Sequence, residues 1–214
     1  MPLLSKRNRH FFFIHIPKTG GSFIESSAKK NGWRLSLILN GYTVSESGFL
    51  KISPQHLHAE LYEQLIDVSS TIELFTVVRH PFDRFKSEYY WQRKQNRTLK
   101  DPDDWIGSMF EAYNRSKCAF DNHIRPQCDF LPSSGECQVH KLEENGINEA
   151  LIKLDVHRAP SFMEALKLPF IRSKSKKSVY EPVIEAAFNK RRKEIEDFYS
   201  ADMTRFKYDS EIQT

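Results

Sequence analysis

The feature that most limits how this chain can fold occurs twice: a short apolar run ends in a polar turn and passes straight into a helix-compatible segment. Phe11-Phe12-Phe13-Ile14 leads into His15-Ile16-Pro17-Lys18-Thr19-Gly20-Gly21-Ser22-Phe23 and then Ile24 to Lys30. Glu73-Leu74-Phe75-Thr76-Val77-Val78-Arg79 stops at His80-Pro81, and Phe82 to Arg97 reads as a helix with Pro81 near its first turn, where proline is tolerated. Continuous β-favouring runs of this kind are strands buried on both faces. Two strand–turn–helix units predict an α/β fold with a parallel sheet and a ligand at the carboxyl ends of its strands.

The first turn has the chemistry of an anion site. Gly20 and Gly21 let backbone amides approach an anion, the first helical turn leaves N–H groups without partners, and the helix dipole adds partial positive charge. Lys18, Thr19 and Ser22 contribute a charge and two hydroxyls. A nucleoside-triphosphate loop carries its lysine after the glycines, whereas here the lysine comes first. On these residues alone an ordinary Gly-Gly turn is the alternative. The second turn offers Arg79 at the strand end, with Arg84 and Ser87 in the first turns of the helix. That is a second phosphate pocket, or else a solvated helix start with a local Asp83–Lys86 pair.

Pro17-Lys18-Thr19-Gly20-Gly21-Ser22 resembles the 5'-phosphosulfate loop of sulfotransferases that use 3'-phosphoadenosine-5'-phosphosulfate (PAPS). Arg79, followed eight positions later by Ser87, resembles their 3'-phosphate motif. Two motifs in the right order make the chain similar to the carbohydrate-type sulfotransferases, in motif style to the heparan-sulfate 2-O-sulfotransferase branch and its bacterial relatives. The resemblance implies a P-loop-like three-layer fold, a central parallel sheet flanked by helices. It also implies sulfuryl transfer from PAPS to a carbohydrate or other hydroxyl acceptor, release of adenosine 3',5'-bisphosphate (PAP), and no metal. Lys18, Thr19, Gly20, Gly21, Ser22 and Phe23 would hold the phosphosulfate, and Arg79 and Ser87, with Arg84 as helper, the 3'-phosphate. Ser173 and Lys174 lie in a basic loop, Arg172 to Ser178, that would close over the nucleotide; by composition alone a solvated linker fits as well. Gln127 to Leu131 resembles a segment near the acceptor, and Asp202 to Tyr208 a closing segment that packs.

An acceptor alcohol needs a base near neutral pH, and histidine is the side chain whose ordinary pKa lies there. Ser53-Pro54-Gln55-His56-Leu57-His58-Ala59 resembles the family's base-bearing segment, which makes His56 the first candidate and His58 the alternate.

The rest of the chain bounds the answer. Its 214 residues suit one domain with a sizeable core. Met1 to His10 reads as an extended lead-in, Trp33 to Asn40 and Val139 to Glu143 as strands. Helices are expected through Leu61 and Leu65, over Trp105 to Tyr113 in an otherwise polar insertion, and over Asn148 to Leu154, Ser161 to Leu168 and Glu181 to Tyr199. Lys190-Arg191-Arg192-Lys193 reads as the solvated face of the last of these. Cys118, Cys128 and Cys137 are expected to be reduced, although Cys128 and Cys137 are near enough to pair, and they lack zinc-ligand spacing. A net charge of +4 fits an anionic ligand and is too weak to indicate nucleic acid. With no apolar run near the roughly 20 residues of a membrane span and no signal-peptide layout, a cytoplasmic protein without membrane insertion is expected. Two other classes compete. A magnesium-dependent P-loop phosphotransferase lacks its lysine here, and a non-catalytic polyanion binder would use the Lys174–Lys177 and Lys190–Lys193 clusters.

Overall fold

The computed structural model describes residues 1–39, 49–67, 72–156 and 181–208. Five strands form one sheet: β1 (Leu3–Lys6), β2 (Arg9–Ile14), β3 (Arg34–Ser36), β4 (Glu73–Val78) and β5 (Cys137–Lys141), in the order β3-β1-β2-β4-β5. Helices α1 (Gly21–Lys30), α2 (Ala59–Tyr62), α3 (Pro81–Lys94), α4 (Pro102–Arg115), α5 (Gly146–Lys153), α6 (Glu181–Lys190), α7 (Arg192–Phe198) and α8 (Ser200–Arg205) surround it. The architecture is α/β, as expected, with one difference in the sheet. β2 pairs in parallel with β4 and β4 with β5, but β1 runs antiparallel to both β2 and β3. The segment expected to be a lead-in is therefore a hairpin arm. Leu3 and Leu4 are too short an apolar run to announce a strand, and pairing Leu4 with Phe11 buries it.

The central strands explain their own composition. On β2, Phe11 and Phe13 pack with Ile24, Ala28, Phe75, Val77 and Leu151 beneath α1 and α5, while Phe12 and Ile14 face the opposite layer with Leu74, Val78, Phe130 and Met203. A strand apolar on both faces is stable only between two covering layers, which α1 and α5 supply on one side and α2, the 127–130 turn and α8 on the other. A third cluster, around Phe82, Phe85, Trp105, Phe188 and Tyr199, joins α3 and α4 to the last helices.

Helix starts follow local rules. Asp101 caps α4 by accepting from the Asp104 amide at 3.0 Å, with Pro102 in the first turn. The single helix expected over Glu181 to Tyr199 is divided at Arg191 and Tyr199, two side chains that reach away: Arg191 donates to the Asp103 carbonyl and Tyr199 to that of Ile124. The Lys190–Lys193 run is thus not simply a solvated face, since Arg191 also pairs with Glu194 and Arg192 lies 3.7 Å from the Phe82 ring centre. The cysteines are all free thiols, so Cys128 and Cys137 do not pair. The helix expected at Ser161 to Leu168 lies outside the described residues. Among the described residues no helix is long and apolar enough to cross a membrane.

Asp202 fastens the C-terminal helices to the sheet edge. Fully buried, it accepts from the amides of Gln127 at 2.7 Å and Cys128 at 2.8 Å, capping the 127–130 turn from a distance. An amide in its place offers a donor where an acceptor is needed. Asp202→Asn is expected to cost about 2 kcal/mol and to lower the thermal midpoint by roughly 4–8 °C for a chain of this size. An unchanged midpoint in calorimetry would remove Asp202 from this role.

Candidate functional site

The loops after β2, β4 and β5 leave the sheet at one edge, the carboxyl ends of the parallel strands. In the first, Lys18 and Gly20 take left-handed backbone angles, φ 69° and 94°, and Thr19 turns inward to donate its hydroxyl to the Ile16 carbonyl at 2.9 Å. Phe23 and Ile24 bond back to the Gly20 carbonyl, while among the described residues no backbone carbonyl takes the amides of Thr19, Gly20, Gly21 or Ser22. The first turn of α1 carries no acidic residue, so nothing there neutralises the positive end of its dipole. The glycines also answer to packing. A Cβ on Gly21 would lie 2.2 Å from the His15 ring, and one on Gly20 would lie 2.6 Å from Ile147 on an already left-handed backbone. Ser22 is exposed and Phe23 half-buried.

Lys18 directs its ammonium toward Trp91 of α3, 5.0 Å from the ring centre. Burial lowers its pKa to about 8, with Glu88 opposing the shift and Arg79 and Lys94 adding to it. Arg79, only 4% exposed at the tip of β4, donates from Nη1 to the Lys18 carbonyl at 3.3 Å. The Gln127 side chain clamps its backbone, accepting from the Arg79 amide at 3.0 Å and donating to its carbonyl at 2.8 Å. Lys18 and Arg79, 61 positions apart in the chain, are thereby brought together. Ser87 sits half-buried on α3. Arg84 is spent elsewhere: its guanidinium donates to the carbonyls of His123 at 3.1 Å and Arg125 at 2.5 Å, reaches that of Pro17 at 3.5 Å, and lies over the Tyr199 ring. It holds segments together instead of facing a ligand. Ser173 and Lys174 lie outside the described residues.

Three histidine rings meet edge to face beside this loop. His15 and His123 each lie 5.0 Å, centre to centre, from His56. Each ring places Nδ1 on a carboxylate: His15 on Glu25, His56 on Asp121 at 2.8 Å and His123 on the buried Glu88 at 2.7 Å. A carboxylate can only accept, so in each neutral ring Nδ1 carries the proton and Nε2 the lone pair. Burial drives the pKa of His56 down to about 3; the hydrogen bond to Asp121 opposes the shift, and His15 and His123 reinforce it. His58 is arranged the other way round. The Asn122 amide donates to its Nδ1 at 3.1 Å and to the His56 carbonyl at 2.9 Å, while accepting from Arg125 Nε at 3.0 Å, which fixes the amide's orientation. The basic nitrogen of His58 is therefore already occupied.

Asp121, Asn122, His123, Glu88, His15 and Trp91 were not candidates on sequence grounds. Three of them lie in the polar insertion, where nothing local marks them. Ligand atoms of His56, Asp121 and His123 come within 4.8 Å of one another, yet Asp121 already accepts from three donors, Ser53 N, Ser53 Oγ and His56 Nδ1, and the group holds together as hydrogen-bonded protein.

No curated protein and no solved structure matches the chain significantly. The model of the Sulfotransferase family does match, over residues 2–209, a span that takes in the loops after β2 and β4, the histidine cluster and Asp202. Over nearly its whole length, then, this chain belongs to the Sulfotransferase family and is an enzyme of sulfuryl transfer.

Proposed function

We propose that the chain moves a sulfuryl group from PAPS to a hydroxyl of a carbohydrate acceptor by in-line displacement, with His56 as the base. One observation carries the reading: the Arg79 guanidinium bonds the Lys18 carbonyl, so two cationic loops meet at the strand ends with backbone amides to spare. When bound, the donor supplies an activated sulfonate whose bond to the bridging oxygen breaks as the bond to the acceptor oxygen forms. Lys18 would balance the negative charge that collects on the departing phosphate, and the amides of Thr19, Gly20, Gly21 and Ser22 would hold it, with Phe23 set aside because its amide already bonds the Gly20 carbonyl. The Thr19 hydroxyl is already committed to Ile16, so its amide is the group assigned here. Arg79 and Ser87 are assigned to the 3'-phosphate, with Ser173 and Lys174 closing over the nucleotide, and Arg84 is set aside as scaffold.

Of the two histidines, His56 is assigned the acceptor's proton because its Nε2 keeps its lone pair, whereas His58 already accepts from Asn122. Burial holds the free His56 ring neutral and makes it a weaker base than an ordinary histidine, so the proton it takes up must be balanced by the carboxylate it bonds. The acceptor class rests on Trp91 beside Lys18 and on the exposed Arg93, Lys94 and Arg97 at and just past the end of α3, an aromatic face and cations suited to an acidic sugar.

Thermal shift separates this reading from the phosphotransferase class. PAP is expected to raise the melting temperature, while ATP with magnesium leaves it nearly unchanged; the reverse result would sink the assignment. Lys18→Ala should lose at least about a hundredfold in sulfate transfer with folding intact, and wild-type turnover in that variant would refute its role. Arg79→Ala should weaken PAP binding by about tenfold or more; an unchanged dissociation constant would count against it.

The lysine also predicts a pH dependence. An anion binds the ammonium form, which persists below the Lys18 pKa of about 8 and is lost above it. PAP affinity should therefore hold steady up to about pH 8 and then fall by up to about tenfold per unit. Lys18→Arg, which stays charged, should abolish that fall. A wild-type affinity that stays flat well beyond Lys18's pKa would show that its charge is not used.

A further inference from the structure

The carboxylate that bonds His56 is held on unusual backbone. Phe120, Asp121 and Asn122 follow one another with φ of 52°, 56° and 62°, three successive left-handed residues of which none is glycine. Such a conformation is disfavoured for every L-residue with a side chain, and a run of three persists only where the surroundings fix it. Beside the bond that Asn122 accepts from Arg125 Nε, the side-chain contacts that fix it point to one place. Asp121 accepts from the Ser53 amide at 2.6 Å, the Ser53 hydroxyl at 2.8 Å and His56 Nδ1 at 2.8 Å, while Asn122 takes the His56 carbonyl and His58 Nδ1. Phe120 is left 43% exposed, although it is the largest side chain of the three. The turn thus gives up burial of an aromatic ring and ordinary backbone angles, and what it gains is two polar side chains aimed at the segment Ser53 to His58.

We propose that Asp121 is the positioning residue of the catalytic base, fixing His56 as the Nδ1–H tautomer and balancing the imidazolium formed during transfer. The inference rests on the assignment of His56 as base made above. In the step concerned, the acceptor's O–H proton passes to His56 Nε2 as the sulfur–oxygen bond forms, Nδ1 keeps its proton, and the positive ring stays bonded to the negative carboxylate. Without that carboxylate the protonated ring would keep at Nδ1 only the uncharged Ser53 hydroxyl, 3.1 Å away, and no negative charge in direct contact. It would be charged in a buried position with two further histidine rings 5.0 Å away. Asp121 is itself held ionised: burial favours its neutral form, but the hydrogen bonds and charge of His56 and the two bonds from Ser53 more than offset that. Glu25 and Glu88 are bonded to the other two rings, which leaves Asp121 as the carboxylate in direct contact with His56.

The test uses the full chain and Asp121→Asn. Asparagine is among the residues that tolerate left-handed backbone, so the turn is expected to survive, but its amide can donate to Nδ1 and favour the other tautomer. Sulfate transfer from labelled PAPS is measured to heparosan, chondroitin or a neutral glucan, whichever the wild type uses. The variant should lose about a hundredfold or more in kcat, with the KM for PAPS and the dissociation constant of PAP within about twofold of wild type. Long-range proton–nitrogen spectra of His56 supply a readout that a merely structural role would not move. Wild type should show a protonated Nδ1 and a bare Nε2, and Asp121→Asn should exchange the two. A bare Nδ1 in the wild-type spectrum overturns the proposal whether or not the variant folds. Wild-type kcat in Asp121→Asn, with His56→Ala inactive, overturns it alone. Full activity in His56→Ala, or no binding of PAP by wild type, instead overturns the functional reading beneath it, and the proposal falls with that reading.

Discussion

The site depends first on a buried cation, Arg84, whose partners are the protein's own carbonyls. Arg84 is 1% exposed, and its guanidinium gathers the carbonyls of His123 and Arg125, with that of Pro17 at the limit of hydrogen-bonding distance. The segments it ties are the loop after β2, the insertion that bears the histidine partners and, through the Tyr199 ring, the C-terminal helices. Taking a charge out of water is costly, and the cost is offset only when charge-assisted bonds satisfy it in fixed geometry. The requirement works in reverse as well: the loop after β2 and the 123–125 segment must stay where they are because a buried guanidinium would otherwise lose its carbonyl partners. Arg79 repeats the device at the tip of β4, with its side chain on the Lys18 carbonyl and its backbone in the Gln127 amide. Asp202 completes the series by holding Gln127 and Cys128. A continuous polar chain thus runs from the anion loop to the last helix, and such a network rigidifies only when each member is satisfied.

The elements that were legible in the sequence are those whose signals are local. β2 and β4 are bare apolar runs because both their faces are covered, and Pro81 and Asp101-Pro102 mark helix starts by rules that need no tertiary structure. β1 was obscure for the converse reason. It is four residues long, and only register with its neighbours makes it a strand, whereas β3 falls within Trp33 to Asn40, a segment that already reads as a strand. The anion loop was visible because its chemistry is contiguous, whereas the partners of the histidines were not. Asp121 lies 65 residues from His56 and Glu88 lies 35 from His123, and no propensity places Phe120 in a left-handed turn. Even Gly21, singled out as a residue that opens backbone to an anion, has a second reason to be glycine that only the structure supplies: the His15 ring occupies the space its Cβ would need.

The clustered histidines restrict each other's charge. Rings 5.0 Å apart in a dry setting cannot all be protonated without strong repulsion, so each carboxylate partner matters more for the tautomer it selects than for any ion pair it forms. Tautomer selection is directional, and here it separates neighbours of the same type. His56 and His58 are two residues apart and both buried, yet one bonds a carboxylate and keeps Nε2 basic while the other accepts an amide N–H and does not. No reading based on residue identity could separate them, because what differs is the partner.

Two kinds of physics therefore build the two halves of the site. The loop after β2 is built largely from backbone, with amides at a helix start, a positive dipole and a left-handed Lys18 set by covalent geometry and by glycine, to which the Lys18 and Arg79 side chains add charge. The base side is made of side chains held in disfavoured conformation, with the left-handed run at 120–122 stabilised by bonds to Ser53, His56 and His58. A backbone pocket tolerates change in its surroundings, because nothing in it needs to be re-aimed. A side-chain dyad does not, since a small rotation of the 120–122 turn removes the carboxylate from Nδ1 altogether. The 120–122 turn is the strained part, and it is fastened at its far end by Arg84, which bonds the carbonyls of His123 and Arg125 just beyond it.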